Sequence, residues 1–247
     1  MTEIHTPTHD EIYTQQKESS VEIQYSVLGL ITDSQGRLLL LNQVNKDEDT
    51  ALQSPRAWRT PGGRVEMPPE LRYPLGGQLR ATPIPKERIN DFARYVHPHD
   101  VEDYMDHAER SLSETYLMSE CQRELVEEIN ELIREVLLTN RINLSEITAD
   151  DPRYVSNKDV EIEAGTRWHS RKADLKPGDK NTNRKYFKVK LSPDAQRKVE
   201  ELVTNGKAIW FDQNHASNES IIVSKGAVRS LRVATRGTFT DLSKPKE

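Results

Sequence analysis

The segment 111–136 constrains this chain most. At 100° per residue, Met118, Cys121, Leu125, Ile129, Leu132 and Val136 fall on one narrow apolar stripe, and Glu120, Glu124, Glu127 and Glu128 fall on an arc beside it. A helix so patterned must bury one face in a core and turn an adjoining edge to an acidic site. Ser111, with Glu114 three residues on, reads as its capping box, in which hydroxyl and carboxylate each satisfy a backbone donor. Cys121 sits on the stripe and reads as packed core, not as a nucleophile.

Strands precede this helix. Val21, Ile23, Tyr25 and Val27 alternate and an apolar run follows over 28–31; Asp33, Ser34, Gln35 and Gly36 supply turn chemistry, and 37–41 form a second strand. The pattern predicts a buried hairpin. A short strand over 57–60 ends at Pro61-Gly62-Gly63. Residues 67–113 then form an insertion. Pro68, Pro69, Pro74, Pro83 and Pro85 make its first half irregular, and 86–95 and 101–110 suit short helices. An insertion of this length predicts a cap or lid.

Beyond the long helix, strands are expected over 159–168, 186–191 and 207–211, with a loop over 176–183. A helix over 193–203 opens on Ser192 as cap and Pro193 in its first turn, and 219–233 form a last helix. Residues 1–20 read as a flexible arm, 21–235 as one domain and 236–247 as a flexible polar tail. This mixture predicts an α/β sandwich with a mixed sheet between helical layers.

Composition narrows the function classes. The 247 residues are 34% hydrophobic and carry a formal net charge of −5, against a general nucleic-acid coat, which would want excess Lys and Arg. One cysteine excludes an intramolecular disulfide and a Cys-based zinc cluster. The first twenty residues lack an apolar signal core, and no run approaches the roughly 20 apolar residues of a membrane span. A soluble cytoplasmic protein without membrane partners is expected.

The acidic arc carries the chemistry. Glu124, Glu127 and Glu128 have i, i+3, i+4 spacing, which gathers three mutually repelling carboxylates on one helix surface. A hard divalent cation would resolve that conflict. Gly62 and Gly63 would let backbone approach the site where a Cβ would intrude.

The sequences Trp58-Arg59-Thr60-Pro61-Gly62-Gly63 and Arg123-Glu124-Leu125-Val126-Glu127-Glu128 together resemble the two halves of a Nudix box, G-x5-E-x7-R-E-U-x-E-E-x-G-U, with U a bulky aliphatic. The resemblance extends more loosely over 21–233. It implies a Nudix-type α/β/α sandwich with an inserted cap, and Glu124, Glu127 and Glu128 as ligands for Mg²⁺ or Mn²⁺. It also implies that Arg123 fixes the loop-to-helix junction, with Glu114 as its partner. Arg59 and Arg64, flanking the glycine turn, are the candidates for substrate phosphate, since guanidinium grips it in a bidentate fork.

The sequence departs from the box at four points. The insertion interrupts it between Glu66 and Glu114. Eight residues separate Glu114 from Arg123 where the box has seven, leaving Glu66 and Glu70 as alternative upstream carboxylates. Asn130 replaces the closing glycine, so the helix either stops there in a left-handed cap or continues along the stripe. Glu131 replaces the following aliphatic. A further carboxylate could come from Glu161, Glu163, Glu200 or Glu201.

Plainer roles stand beside these. His97, His99 and Asp100 read as a polar loop more readily than as a metal cluster, and Trp168 and Trp210 as core anchors, although an exposed Trp168 could stack on a base. Residues 167–172 read as a solvated basic edge. The expected activity is metal-dependent hydrolysis of a nucleoside diphosphate linked to another moiety, with a nucleotide-type small molecule as substrate and a homodimer compatible with it. The alternatives are a Nudix-fold nucleotide-binding module with weak or no catalysis, and an α/β domain whose acidic helix is only a surface.

Overall fold

A computed structural model describes residues 8, 11, 14, 18–44, 56–65, 95–144, 147–148, 151–169, 174–212, 214 and 223–241. Among them the chain forms β1 (Val21–Ile31), β2 (Leu38–Val44), β3 (Arg56–Arg59), β4 (Gly62–Arg64) and β5 (Tyr95–Val96). Helices α1 (Val101–Ser111) and α2 (Glu114–Thr139) follow, then β6 (Val160–Gly165), β7 (Lys180–Leu191), α3 (Pro193–Thr204), β8 (Ala208–Phe211), α4 (Lys225–Arg236) and β9 (Thr240–Asp241). The α/β class is as expected. Among the described residues no helix is long and apolar enough to cross a membrane. Most of the insertion, 67–94, and the carboxylates Glu66 and Glu70 lie outside the described residues.

The chain divides into two compact units. Unit one comprises Met1–Ser26, Arg64–Leu117 and Trp168–Arg184; unit two comprises Val27–Gly63, Met118–Arg167 and Lys185–Glu247. In unit one, β5 pairs antiparallel with the start of β1, Val21 opposite Val96. Gly178 N–H donates to Ser20 O and Glu22 N–H to Asp179 O, so β1 and β7 ascend together. Helix α1 packs on this sheet, where the Tyr25 hydroxyl donates to Met105 O at 3.5 Å. His97 Nδ1 accepts from His99 N–H and so caps the short turn Pro98–Asp100 that leads into α1, the structural role expected of that polar loop.

The strand order is β4-β1-β7-β6-β9, with β5 on β1, in one sheet and β3-β2-β8 in another. This changes the expected hairpin. Its turn forms: Gly36 takes φ +75°, Gly36 N–H donates to Asp33 O, and Asp33 accepts from the Arg37 guanidinium at 2.7 Å. The strands then separate after one bridge, Thr32 to Leu38, and enter different sheets. The reason lies in β2. Leu38, Leu39, Leu40 and Leu41 are all buried on both faces, so β2 is flanked by β3 and β8 and covered on each side. Leu30, Leu38, Leu40, Tyr186, Phe211 and Leu231 form one core cluster, in which each fully buried leucine contributes about 2 kcal/mol. Helix α4, capped by Ser224, closes that core against β2 and β3.

The long helix begins later than its capping box predicts. Leu112 takes an extended conformation at φ −74°, ψ 96°, which ends α1 at Ser111. Ser113 then caps α2, its hydroxyl accepting from Tyr116 N–H at 3.2 Å. Leu112 is buried, and its extended backbone separates α1 from the Ser113 cap of α2. The buried stripe of α2 is Leu117, Cys121, Leu125, Ile129, Leu132, Ile133 and Leu137, rotated slightly from the expected one, with Met118 and Val136 only half-buried.

The expected loop over 176–183 yields β7 from Lys180 onward, and Thr240 and Asp241 of the polar tail pair with β6. Ser192 caps α3 as predicted, its hydroxyl accepting from Ala195 N–H at 3.2 Å.

Candidate functional site

Two segments far apart in sequence meet within unit two. The turn after β3 delivers Pro61, whose carbonyl accepts from Gly29 N–H of β1 at 2.9 Å. Gly62 follows at φ +137°, a conformation that L side chains rarely adopt. A Cβ there would lie 2.2 Å from Val27 O. The Gly62 N–H, 66 residues away in sequence, donates to Glu128 Oε2 at 2.8 Å. A Cβ on Gly63 would lie 1.8 Å from Glu124 Oε2. The glycine pair thus admits one helix carboxylate as an acceptor and leaves room for a second.

Arg123 organises the remaining carboxylates. Its Nη2 donates to Glu120 Oε2 at 3.0 Å and to Glu124 Oε1 at 2.6 Å, and its Nη1 donates to both Glu127 oxygens, at 3.0 and 2.9 Å. These bonds raise the guanidinium's pKa, the bond to Glu120 foremost. Burial raises the pKa of the Glu124 carboxyl, and Arg123 opposes that shift. The Glu127 side chain is 60% exposed against 20% for Glu124, so one carboxylate faces solvent while its neighbour is drawn in against Gly63.

The expected pairing of Arg123 with Glu114 is replaced by this triple contact. Glu114 is the first residue of α2, nine positions before Arg123, which places the two roughly 13 Å apart in axial rise. A partner three or four residues away wins on reach. Glu120 is therefore the residue that sequence reasoning passed over in this role; its i, i+3 spacing to Arg123 was the available signal.

The other candidates are dispersed. Arg59 lies in β3 opposite Leu41, half-buried, and Arg64 is exposed at the end of β4, in unit one. Glu161 and Glu163 are exposed on β6, and Glu200 accepts from Trp210 Nε1 at 3.1 Å. Trp210 is a core anchor, as expected. Cys121 is wholly buried, and burial, with Glu128 and Glu124 nearby, raises its thiol pKa, consistent with a packed core role. In the basic edge, Arg167 is exposed and 170–172 lie outside the described residues.

Asn130 does not end the helix. Its amide donates to Val155 O and accepts from Val155 N–H, both at 2.8 Å, and α2 continues to Thr139. Two turns earlier Gln122 Nε2 donates to Asn157 O and Val160 O at 2.7 and 2.6 Å. The helix thereby pins the approach to β6.

Glu124, Glu127 and Glu128 offer hard oxygen donors of the kind magnesium takes, and Glu124 sits in a cradle that any Cβ would fill. Among the described residues no three acidic, histidine or cysteine side chains converge on a common point as a metal-holding group, and Arg123 is the cation at Glu124 and Glu127. The donor chemistry fits a divalent ion; the arrangement here is the one Arg123 sets. Comparison with family models, curated proteins and solved structures finds no match to this chain.

Proposed function

We propose that the protein is a metal-dependent pyrophosphohydrolase of Nudix type, cleaving a nucleoside diphosphate linked to another moiety. The observation that carries this reading is the junction of Gly62 and Gly63 with Glu128 and Glu124. The two halves of the motif are separated by a long insertion, yet they are in direct contact. A solvated acidic helix has no need of a glycine turn fitted against its carboxylates.

On this reading Glu124, Glu127 and Glu128 would hold Mg²⁺ or Mn²⁺. The ion, when bound, polarises a phosphoryl oxygen and lowers the pKa of a coordinated water. Arg123 orients Glu124 and Glu127 through its guanidinium hydrogen bonds. Glu128 fixes the turn. Arg59, in the same unit as the carboxylates, is the proposed phosphate contact. The substrate would be a soluble cytoplasmic nucleotide derivative. Full-length protein with Mg²⁺ should release products from at least one dinucleotide, nucleotide sugar or nucleoside triphosphate. Glu127→Gln should lower kcat by about 10²-fold or more. Turnover that survives Glu127→Gln combined with Glu128→Gln would refute the site.

A second reading is favoured by Arg123, which already neutralises Glu124 and Glu127. A Nudix-like domain held in this arrangement would bind a nucleotide without cleaving it. Calorimetric binding with no turnover at any Mg²⁺ or Mn²⁺ concentration would select it.

A further inference from the structure

Helix α4 carries a row of cations and no carboxylate. Its sequence places Lys225, Arg229, Arg232 and Arg236 at i, i+4, i+7 and i+11. At 100° per residue all four fall within an arc of about 60°, along roughly 16 Å of helix. Ala227, Ser230 and Leu231 lie on the opposite face and are buried, Ala227 and Leu231 in the core cluster of unit two. The row therefore looks outward, with Lys225, Arg232 and Arg236 exposed and Arg229 half-buried. Among the described residues none of the four has an acidic partner. Arginines elsewhere in the same unit do: Arg37 pairs with Asp33, Arg153 with Asp151 and Arg197 with Asp194.

Such a row costs stability. Like charges one turn apart repel, and Lys225 in the first turn opposes the partial positive charge of the helix N-terminus. Folding does not repay this, because α4 is held by its other face, against β2 and β3. A face that only had to be wet could alternate signs, as α3 does with Asp194, Arg197 and Lys198. A bound polyanion would remove the repulsion.

The shape of the row selects the polyanion. A helix that binds a lipid surface lays its apolar face into the bilayer, and the apolar face of α4 is committed to the core. The cations form a line one side chain wide, in steps of roughly 4.5 to 6 Å. A polymer with one phosphate per unit meets such a line along its length, and guanidinium grips phosphate in a bidentate fork. The net charge of −5 argues against a general nucleic-acid coat, but the local field of the row decides what docks on it.

We propose that α4 is a docking surface for the phosphate backbone of a single-stranded nucleic acid, held through Lys225, Arg229, Arg232 and Arg236 without reading its bases. The surface requires no diphosphate, metal or turnover, and so stands apart from the hydrolase reading.

The test uses full-length protein and a fluorescein-labelled uridine oligomer of about 12 nucleotides with a free 5′-hydroxyl, binding being read by anisotropy. Four phosphate contacts on a single strand give a slope of log affinity against log salt of about −3, or roughly fiftyfold weaker binding at about 200 mM than at about 50 mM salt. Arg229→Gln combined with Arg232→Gln should halve that slope and weaken binding at about 50 mM salt by about tenfold or more. The pair should leave the protein as stable as wild type or more so, since it relieves repulsion. Arg197→Gln, an exposed arginine of α3, should leave binding unchanged. The proposal is overturned if the oligomer does not bind at about 50 mM salt, if the slope on wild-type protein is shallower than about −1, or if the folded double variant binds as tightly as wild type. It is equally overturned if polyglutamate or vesicles of anionic phospholipid bind as tightly as the oligomer, which would make the row a general anion surface.

Discussion

Replacing each glycine of the turn by alanine separates two physical effects that the sequence motif combines. At Gly62 the backbone is at φ +137° and the new Cβ would stand 2.2 Å from Val27 O and 2.8 Å from Leu28 Cα. Both obstacles are backbone, in a strand paired on either side, so neither can yield cheaply. Strain at such a φ costs about 1–3 kcal/mol, and overpacking adds about 1–3 kcal/mol. Displacing the Gly62 N–H from Glu128 would further weaken a charge-assisted bond. Gly62→Ala should thus destabilise by about 3 kcal/mol or more.

At Gly63 the obstacle is the end of a side chain. The Glu124 carboxylate, 1.8 Å from the new Cβ, must retreat by roughly 1.5 Å to reach ordinary contact. It can rotate to do so, and Gly63→Ala should cost only about 1 kcal/mol. Under the proposed function, however, that retreat removes a metal ligand from its cradle, so turnover should fall far more than stability. Urea denaturation with unchanged m-values gives the two stabilities, and nucleotide hydrolysis at saturating Mg²⁺ gives the activity. Equal destabilisation by both variants, or a Gly63→Ala protein with wild-type stability and turnover, would refute the geometry of the junction.

Asn130→Ala removes the donor and acceptor that pair both backbone groups of Val155, and should destabilise by about 1–3 kcal/mol in the same denaturation assay; a change within a few tenths would show that water replaces the amide. Asp159 gives a pH-dependent case. Its carboxylate accepts from the Ser156 hydroxyl at 2.7 Å, from Ser156 N–H at 2.9 Å and from the Ser192 hydroxyl at 2.8 Å, and these bonds lower its pKa from 3.8. A lowered acid pKa contributes stability that is present above 3.8 and lost as pH falls through the folded value. Asp159→Asn should therefore be less stable than wild type near neutral pH, with the gap closing in acid; a gap of constant size would refute the linkage.

How much of this was legible in the sequence depended on the distance over which each feature is specified. The apolar stripe and acidic arc of α2 repeat every three or four residues, and a helix fixes that geometry from within, so Leu125, Ile129 and the carboxylate edge could be placed without knowing the rest of the fold. The Ser192 cap is as local. The cap of α2 was misplaced by two residues because Ser111 and Ser113 both offer a hydroxyl, and the extended backbone at Leu112 ends α1 before Ser113 caps α2. Strand partners are specified by surfaces that arrive from elsewhere in the chain. Four consecutive leucines in β2 announce a strand buried on both faces, but only β8, some 170 residues later, determines that β2 leaves β1 for a second sheet.

Asn181 and Asn183 show the limit from the other side. Alternating asparagines beside Pro177 and Gly178 read as turn chemistry. Backbone pairing in β7 overrides that preference and buries their amides, at a cost that local propensity does not register and that stability alone would select against. The glycine turn differs in kind, because there the unusual residues relieve a conflict: Gly62 and Gly63 remove the atoms that would strike Val27 and Glu124. Motif resemblance could foresee that contact because its chemistry dictates small residues. It could not foresee the partners of Arg123, since Glu120, Glu124 and Glu127 all lie within one turn of it and Glu114 does not.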